Sequence, residues 1–226
     1  MVIGHSFEYN KSMIIKKFGH CCLLIEIDGV KILTDPGMFT TAQNELTGVD
    51  AILVTHEHQD HLHVESVKEI LKNNPGTKVI TNSGVGKKLA EAGIPYTIVE
   101  GRGTIEIEGI AIEAFDCKHE ELFEESGMVQ NTGYFIADKL FYPGDAYCDP
   151  QQPVEILALP IAGPWCRLPD AIRYALRVKP KFAFPVHDGN LNWKFGAGVT
   201  HRLPEQVLKS HNIEFRPMGE NSEEKF

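Results

Sequence analysis

The chain of 226 residues lacks the features that mark several large classes of protein. No apolar run approaches the ~20 residues of a membrane helix, and no internal repeat or low-complexity tract is present. Basic residues are in the minority, with 22 Lys and Arg against 31 Asp and Glu and a net charge of −9. Nonspecific binding to nucleic acid relies on basic surface that neutralises phosphates. We therefore expect no membrane span and no nucleic-acid partner.

Cysteine is sparse and irregularly spaced, with five residues and no Cys-x-x-Cys pair. An odd number without such pairs predicts neither a structural zinc site nor a disulfide framework, so we expect mostly small buried hydrophobes. Cys117 and Cys148 are near candidate ligands in the sequence and could line the same site. Residues 1–19 contain charges and turn formers instead of the long apolar centre of a secretory signal. We therefore expect a cytoplasmic protein.

Short apolar runs separated by turn signals predict a sheet-rich fold with interspersed helices. Asp28-Gly29 and Glu108-Gly109 each separate two such runs and indicate β-hairpins. Apolar residues at helical spacing predict helices near residues 64–71, 84–92, 171–178 and 205–211. This order predicts two sheets covered by helices on the outside, in one domain spanning 1–226. Residues 220–226 are expected to be a frayed tail.

The most informative segment is Thr-His-Glu-His-Gln-Asp-His at residues 55–61. His56, His58, Asp60 and His61 follow a continuous apolar run, and all four are ligand types that zinc and similar divalent ions accept. One ion cannot easily use four groups from so short a stretch. Two adjacent ions are therefore the natural interpretation, and each then needs ligands from elsewhere in the chain.

Further candidate ligands stand at or just after the ends of predicted strands. They are His119, Asp145 and His187. Strand ends that converge on one rim are where open sheets build their sites. Each residue is unremarkable alone, because a single histidine or aspartate is usually a surface or core residue. Their shared position behind strands makes them the best partners for residues 56–61.

These motifs together resemble the metallo-β-lactamase superfamily. The resemblance rests on His56-x-His58-x-Asp60-His61, then His119, Asp145 and His187 in order, and on Asp35 in Leu33-Thr34-Asp35-Pro36-Gly37. It implies an α/β (α+β) fold, a four-layer αββα sandwich of two mixed β-sheets flanked by helices. It also implies two divalent ions, one held by His56, His58 and His119 and the other by Asp60, His61 and His187. Asp145 would bridge them.

The resemblance also implies a role for Asp35 outside the ligand set. It would accept a hydrogen bond that fixes a ligand imidazole, although a simple turn role before Pro36 is the alternative. Zinc suits these ligands, and manganese or iron accepts the same set. A hydroxide bridging the two ions would be the nucleophile, and Asp60 or Asp145 would handle the proton.

The expected reaction is hydrolysis of an ester, lactone or phosphodiester bond in a small, anionic substrate. Phe18-Gly19-His20 and Leu159-Pro160-Ile161-Ala162-Gly163 resemble the branch with ascorbate-6-phosphate lactonase and N-acylphosphatidylethanolamine phospholipase D. His20 could contact the substrate or a proton in the pocket, or could be a hydrogen-bonded turn histidine. Lys194, Trp165 and Arg167 are candidate substrate contacts, with a solvated loop lysine as the alternative for Lys194. Residues 120–130 could form a lid.

Rival interpretations within the superfamily require features that this sequence does not display. A glyoxalase II has an extra helical domain, a β-CASP nuclease a large insertion, tRNase Z a basic arm and a flavodiiron reductase a flavin domain. A non-catalytic metal-binding or ligand-binding sensor on the same fold remains the alternative function. The sequence leaves the oligomeric state open, and a homo-oligomer is compatible with it.

Overall fold

The computed structural model describes residues 12–191 and 197–226. The first sheet has the order β14-β1-β2-β3-β4-β5-β6, with antiparallel pairing from β14 to β3 and parallel pairing from β3 to β6. Its strands are Met13–Gly19 (β1), Cys22–Ile27 (β2), Val30–Thr34 (β3), Ala51–Leu53 (β4), Lys78–Thr81 (β5), Thr97–Ile98 (β6) and Ser222–Lys225 (β14).

The second sheet, like the first, has one half with parallel pairing and one half with antiparallel pairing. Its order is β13-β12-β11-β10-β9-β8-β7, with parallel pairing from β13 to β10 and antiparallel pairing from β10 to β7. Its strands are Thr104–Ile107 (β7), Ile110–Asp116 (β8), Thr132–Ile136 (β9), Leu140–Tyr142 (β10), Ile156–Pro160 (β11), Phe182–Val186 (β12) and Glu214–Phe215 (β13).

Helices cover the outer face of each sheet. Val64–Asn73 (α1) and Ser83–Glu91 (α2) belong to the first half of the chain, and Leu168–Val178 (α3) and Ala197–Lys209 (α4) to the second. A short 3-10 helix spans Ala42–Glu45. Within the described residues, no helix combines the length and apolarity that a membrane crossing requires.

The strands form because their side chains alternate between two apolar environments. In β4, Ala51 and Leu53 join a central core made of residues from both sheets, whereas Ile52 packs with residues of α1 and α2. In β11, Ile156 joins the central core and Leu157 packs against α3 and α4. Successive residues of a strand point to opposite faces, so strands apolar throughout must be covered on both sides. These three cores confirm the predicted αββα sandwich.

The strand directions bring several loops to one edge of the sandwich. The parallel pairs β3–β4 and β10–β11–β12 end at a common edge, and β8 runs in the same direction as β10 because β9 is antiparallel to both. The same logic aligns β1 with β3. The segments that follow β1, β3, β4, β8, β10 and β12 therefore meet at one rim.

The prediction of a frayed tail at residues 220–226 is wrong. Ser222–Lys225 forms β14, an edge strand antiparallel to β1, and Phe226 exchanges backbone hydrogen bonds with Met13 at 3.0 and 2.8 Å. The Phe226 ring packs on Phe182 and Phe184, at 5.6 and 5.7 Å between centroids. A polar edge strand lacks the apolar pattern from which strands are predicted, so the sequence did not indicate it.

Two further expectations are corrected by the structure. Cys117 and Cys148 form a disulfide, with Cα atoms 5.5 Å apart, because the pairing of β8, β9 and β10 brings residues 31 apart in sequence side by side. Helix α4 begins eight residues before the predicted start at residue 205 and passes through Pro204, a residue that usually ends a helix.

Candidate metal centre

The seven predicted ligand side chains come together at the rim where the strand ends meet. Ligand atoms of His56, His58, His119 and Asp145 all lie within 4.8 Å of one another, and so do those of His20, Asp60, His61 and His187. We call His56, His58 and His119 the first cluster and Asp60, His61 and His187 the second cluster. Asp145 lies between the two.

In the first cluster, hydrogen bonds turn the imidazoles toward a common point. His56 donates from Nδ1 to the Thr55 hydroxyl at 3.0 Å, and His119 donates from Nδ1 to the Glu120 carbonyl at 2.6 Å. A neutral imidazole that donates from Nδ1 keeps a lone pair on Nε2. His58 presents its Nδ1, which lies 3.1 Å from His56 Nε2. One ring nitrogen from each of the three imidazoles therefore faces a common point.

In the second cluster, different partners accept the hydrogen bond from Nδ1. His61 donates from Nδ1 to Asp35 Oδ2 at 2.7 Å, and His187 donates from Nδ1 to the Ala162 carbonyl at 2.7 Å. Asp35 also accepts hydrogen bonds from the Thr55 amide and hydroxyl, both at 2.8 Å, and from the Tyr142 hydroxyl at 2.6 Å. The buried carboxylate of Asp35 is thus saturated with donors and holds the His61 ring in place.

Asp145 joins the clusters because it is within reach of both. Its Oδ1 lies 3.1 Å from His61 Nε2, and its Oδ2 lies 3.0 Å from His187 Nε2. On the other side, its Oδ2 is 3.5 Å from His119 Nε2 and 3.7 Å from His56 Nε2. A single carboxylate with imidazoles on two sides has the position of a bridging ligand.

The buried polar atoms at this rim fit divalent ions. Four buried side-chain atoms here make no well-aligned hydrogen bond among the described residues, although Asp145 lies close to two of the imidazoles: His61 Nε2, His119 Nε2, His187 Nε2 and Asp145 Oδ1. Leaving a buried donor or acceptor unpaired costs about 1–3 kcal/mol. Imidazole nitrogens and carboxylate oxygens are the atoms with which proteins bind zinc. Divalent ions held by the two clusters would satisfy these atoms.

Charge is distributed unevenly over the two clusters. Burial lowers the pKa of His56 and His58, and the neighbouring imidazoles add to that effect. Burial also opposes protonation of His61 and His187, but the nearby Asp145 carboxylate outweighs it, so both pKa values lie well above the usual range. The second cluster therefore holds protons more tightly than the first.

The two site carboxylates are ionised. Burial raises the pKa of Asp60, but the adjacent imidazoles of His187 and His20 outweigh burial and hold the pKa well below the usual range. Burial of Asp145 is likewise outweighed by His61 and His187, which lower its pKa. Both carboxylates are thus in the form that binds a cation.

The loop that carries Asp145 is held by Asn131, which the sequence does not reveal. Asn131 donates from its amide nitrogen to the carbonyls of Cys117 and Pro143, both at 2.9 Å, and accepts from the Asp145 amide at 3.2 Å. Gly144 has φ +65°, and a Cβ there would collide with the Asn131 side chain. Asn131, together with the Cys117–Cys148 disulfide, fixes Asp145 relative to the strand end that precedes His119.

The other candidate residues have different placements. His20 is buried and contacts Asp60, with Nε2 3.1 Å from Oδ2. Trp165 donates from Nε1 to Asp145 Oδ2 at 3.0 Å. Arg167 precedes α3 with its side chain 78% exposed and lies 3.7 Å from Asp170. Lys194 falls outside the described residues.

The predicted lid begins beside a ligand. Glu120 donates its amide hydrogen to the Asp145 carbonyl at 2.8 Å. Farther along, Phe123 is 71% exposed and forms an isolated bridge with Ser126. A role for residues 120–130 as a lid stays a prediction.

Three supporting residues were not predicted. Thr55, Asn131 and Tyr142 hold ligands or Asp35 through side-chain hydrogen bonds. Thr55 directly precedes His56, so its place in the sequence could have indicated a supporting role. Tyr142 ends a strand like many core aromatics, and Asn131 stands in a polar loop, so their roles depend on pairings that sequence spacing does not show.

Comparison with known proteins agrees with this architecture. Protein Rv0786c of Mycobacterium tuberculosis is 32% identical over 180 residues, which cover 77% of this chain and 84% of that protein. The UPF0173 metal-dependent hydrolase TV0864 of Thermoplasma volcanium is 29% identical over 184 residues, covering 75% and 80%. The solved structure of Igni18, a metallo hydrolase from Ignicoccus hospitalis, superposes with a TM-score of 0.74 at 18% identity, covering 95% and 98%.

Two mixed sheets flanked by helices, with a histidine- and aspartate-rich rim, define the metallo-β-lactamase fold. A model of the Beta-lactamase superfamily domain matches residues 14–187, a range that includes all seven candidate ligands. The chain belongs to this superfamily. The narrower resemblance to a lactonase and phospholipase branch stays a prediction.

Proposed function

We propose that this protein is a metal-dependent hydrolase that uses two divalent ions. The first cluster would hold one ion and the second cluster the other, with Asp145 shared between them. The observation that carries the proposal is the convergence of unpaired, buried ligand atoms: three imidazole Nε2 atoms and one carboxylate oxygen. The name of the Thermoplasma volcanium relative, a metal-dependent hydrolase, supports the same activity.

The choice of metal follows from the ligand chemistry. Five imidazoles and two carboxylates suit zinc, and manganese or iron accepts the same atoms. When bound, a pair of such ions supplies Lewis acidity that lowers the pKa of a water toward ~7 and polarises the substrate oxygen.

The protein side chains would orient this chemistry and manage the proton. Asp60 is 25% exposed, whereas Asp145 is 2% exposed and surrounded by imidazoles. We therefore assign the proton transfer to Asp60, the carboxylate closer to the solvent. Trp165 donates a hydrogen bond to Asp145 Oδ2 and restrains its rotation.

The pocket surroundings favour a small, anionic substrate with an ester, lactone or phosphodiester bond. Two divalent ions outweigh the two ligand carboxylates, so the loaded site is positive and stabilises developing negative charge. Aromatic rings border the second cluster: Trp165 lies 5.2 Å from His187, and Phe39 lies 4.5 Å from His20. Four glutamates in residues 120–130 oppose a large polyanion. Arg167 and Lys194 remain candidate contacts for the anionic group.

Turnover on substrate panels tests the proposal. Protein loaded with zinc, manganese or iron would be assayed on esters, lactones, phosphodiesters and β-lactams, beside the Asp60→Asn variant. We expect hydrolysis of at least one class by the loaded protein, its loss on chelation, and a large decrease in Asp60→Asn. Two bound ions without turnover on any panel, combined with tight binding of a small ligand, would instead identify the sensor.

A further inference from the structure

We propose that His20 is a positioning residue for the second cluster, outside the set of metal ligands and outside contact with substrate. It would fix the carboxylate of Asp60 and the backbone and ring of His187. This inference rests on the proposed function, because it assigns His20 a task at the same metal centre.

The location of His20 suits a supporting role. It follows β1 in the turn to β2 and is 2% exposed, so most of its ring is inaccessible to a substrate molecule. Within the described residues, the centroid of its ring lies 4.5 Å from that of Phe39, 4.1 Å from that of His187 and 5.7 Å from that of His61. Phe39, itself 48% exposed, covers one side of the imidazole. The opposite side faces the second cluster.

The hydrogen bonds of His20 determine which ring nitrogen carries the proton. The Gly189 amide donates to His20 Nδ1 at 3.1 Å. A nitrogen that accepts a hydrogen bond has no proton of its own, so the proton of the neutral ring is on Nε2. That Nε2–H donates to Asp60 Oδ2 at 3.1 Å. His20 therefore presents a hydrogen, and not a lone pair, to the metal centre.

This tautomer separates His20 from the ligand imidazoles. His56, His61, His119 and His187 each donate from Nδ1 and turn Nε2 toward the candidate metal positions. His20 does the reverse, although its ring atoms lie within 4.8 Å of the atoms of Asp60, His61 and His187. Proximity alone would include it among the ligands, and its partners exclude it.

Asp60 needs such a partner more than the other members of its cluster. Its side chain is 25% exposed, whereas the side chains of His61 and His187 are 0% and 4% exposed. Packing therefore constrains the two imidazoles and leaves the carboxylate freer to rotate toward solvent. The bond from His20 supplies the missing constraint, as second partners of metal ligands commonly do.

His20 also links the strand end that carries His187 to the turn after β1. Its carbonyl accepts the His187 amide at 3.2 Å, while its ring accepts the amide of Gly189. A Cβ on Gly189 would lie 2.9 Å from the His20 Cβ and 3.1 Å from Nδ1. The absence of a side chain at residue 189 is thus what allows this close approach.

The test compares two substitutions that separate hydrogen bonding from shape. His20→Phe keeps an aromatic ring between Phe39 and His187 but removes both ring nitrogens. His20→Gln removes the ring and offers an amide N–H near the position of Nε2. Zinc binding to each variant and to the wild type would be measured by competition titration, with the melting temperature recorded in parallel.

We expect His20→Phe to bind the first zinc ion normally and the second about 10–100-fold more weakly. His20→Gln should restore most of the lost affinity, because it restores the donor to Asp60. Equal loss of affinity in both variants would identify His20 as a ligand and overturn the inference. Unchanged zinc affinities in both variants would also overturn it. A wild-type protein that binds no zinc would instead refute the proposed function.

A second measurement uses the wild-type protein and does not depend on a variant that folds. Long-range ¹H–¹⁵N correlation spectra distinguish the two tautomers of each imidazole. We expect the Nε2–H tautomer of His20 both before and after zinc is added. Loss of the Nε2 proton from His20 on zinc loading would show coordination and contradict the positioning role.

Discussion

The first and second clusters lie side by side but are held in place by different means. The first cluster depends on one hydroxyl and one backbone carbonyl, and the disulfide from Cys117 to Cys148 ties its His119 segment to the Asp145 loop. The second cluster depends on a buried hydrogen-bond network that includes Asp35, Tyr142 and His20. The disulfide thus acts most directly on the first cluster, and the network of buried polar groups acts most directly on the second.

Behind the second cluster, the network extends to a buried ion pair. Lys17 donates to Asp188, to the Pro185 carbonyl at 2.8 Å and to the Met218 carbonyl at 3.2 Å. Asp188 follows His187 and also pairs with His201 at 2.9 Å. Such pairs are costly to break from one side, so the backbone beside His187 is firmly anchored. The comparison teaches that each cluster has supports of its own, and that Asp145 is the candidate ligand shared by both.

Removal of Asp145 should have the largest effect, because both clusters share it. Asp145→Ala should lose most bound metal from both positions. Loss of metal-based stabilisation of several kcal/mol would lower the hydrolysis rate on the order of a thousandfold. Metal content and turnover of the purified variant measure this. Asp149→Ala, an exposed aspartate four residues on that accepts a hydrogen bond from Gln151, is the matched control. Unchanged metal content in Asp145→Ala would refute the bridging role.

Opening the disulfide should weaken the first cluster selectively. Its two cysteines are 31 residues apart, and closing a loop of that size stabilises a fold by about 3–4 kcal/mol. Cys148→Ser should therefore lower the free energy of unfolding, and zinc should leave the first cluster more readily than the second. Chemical denaturation and zinc competition check these outcomes. Cys166→Ser, at a free cysteine, is the control. Equal weakening of zinc binding at both clusters in Cys148→Ser would contradict the expected selectivity.

Substitution of Asp35 should have the opposite selectivity. Asp35→Asn keeps the size of the side chain but places an amide group among donors from Thr55, Tyr142 and His61. We expect the affinity of the second cluster for zinc to fall about 10–100-fold, with a smaller change at the first. Asp50→Asn, at a carboxylate that accepts a hydrogen bond from the Lys31 amide at 2.8 Å, should leave both affinities intact. If Asp35→Asn and Asp50→Asn changed zinc affinity equally, Asp35 would have no specific role in supporting the second cluster.

Acidification should release zinc from the second cluster before the first. The pKa values of His61 and His187 are raised, so zinc must displace protons there up to a higher pH. Those of His56 and His58 are lowered, so these rings are neutral over most of that range. Affinity of the second cluster should fall about tenfold per pH unit for each displaced proton. Titrations at several pH values would measure this, and parallel loss from both positions would contradict it.

Local sequence was sufficient for part of this site. His56, His58, Asp60 and His61 could be proposed as ligands because four such residues crowd one short turn after an apolar strand. His119, Asp145 and His187 could be proposed because each follows a strand end, where the rim of a sheet lies. Both inferences use only the neighbours of a residue along the chain.

The support of the site could not be predicted in this way. Asn131, Tyr142 and the Cys117–Cys148 bond act between segments that only strand pairing brings together. Strand β14 was missed because its residues are polar and its partner β1 lies at the other end of the chain. Pairing between distant segments determines these features, and composition does not record it.

Anomalous diffraction from zinc-loaded crystals tests the central claim most directly. The account predicts two zinc peaks at the rim about 3.5–4 Å apart, one beside His56, His58 and His119 and one beside Asp60, His61 and His187, with Asp145 contacting both. No peak at this rim, or zinc bound only elsewhere on the protein, would contradict it.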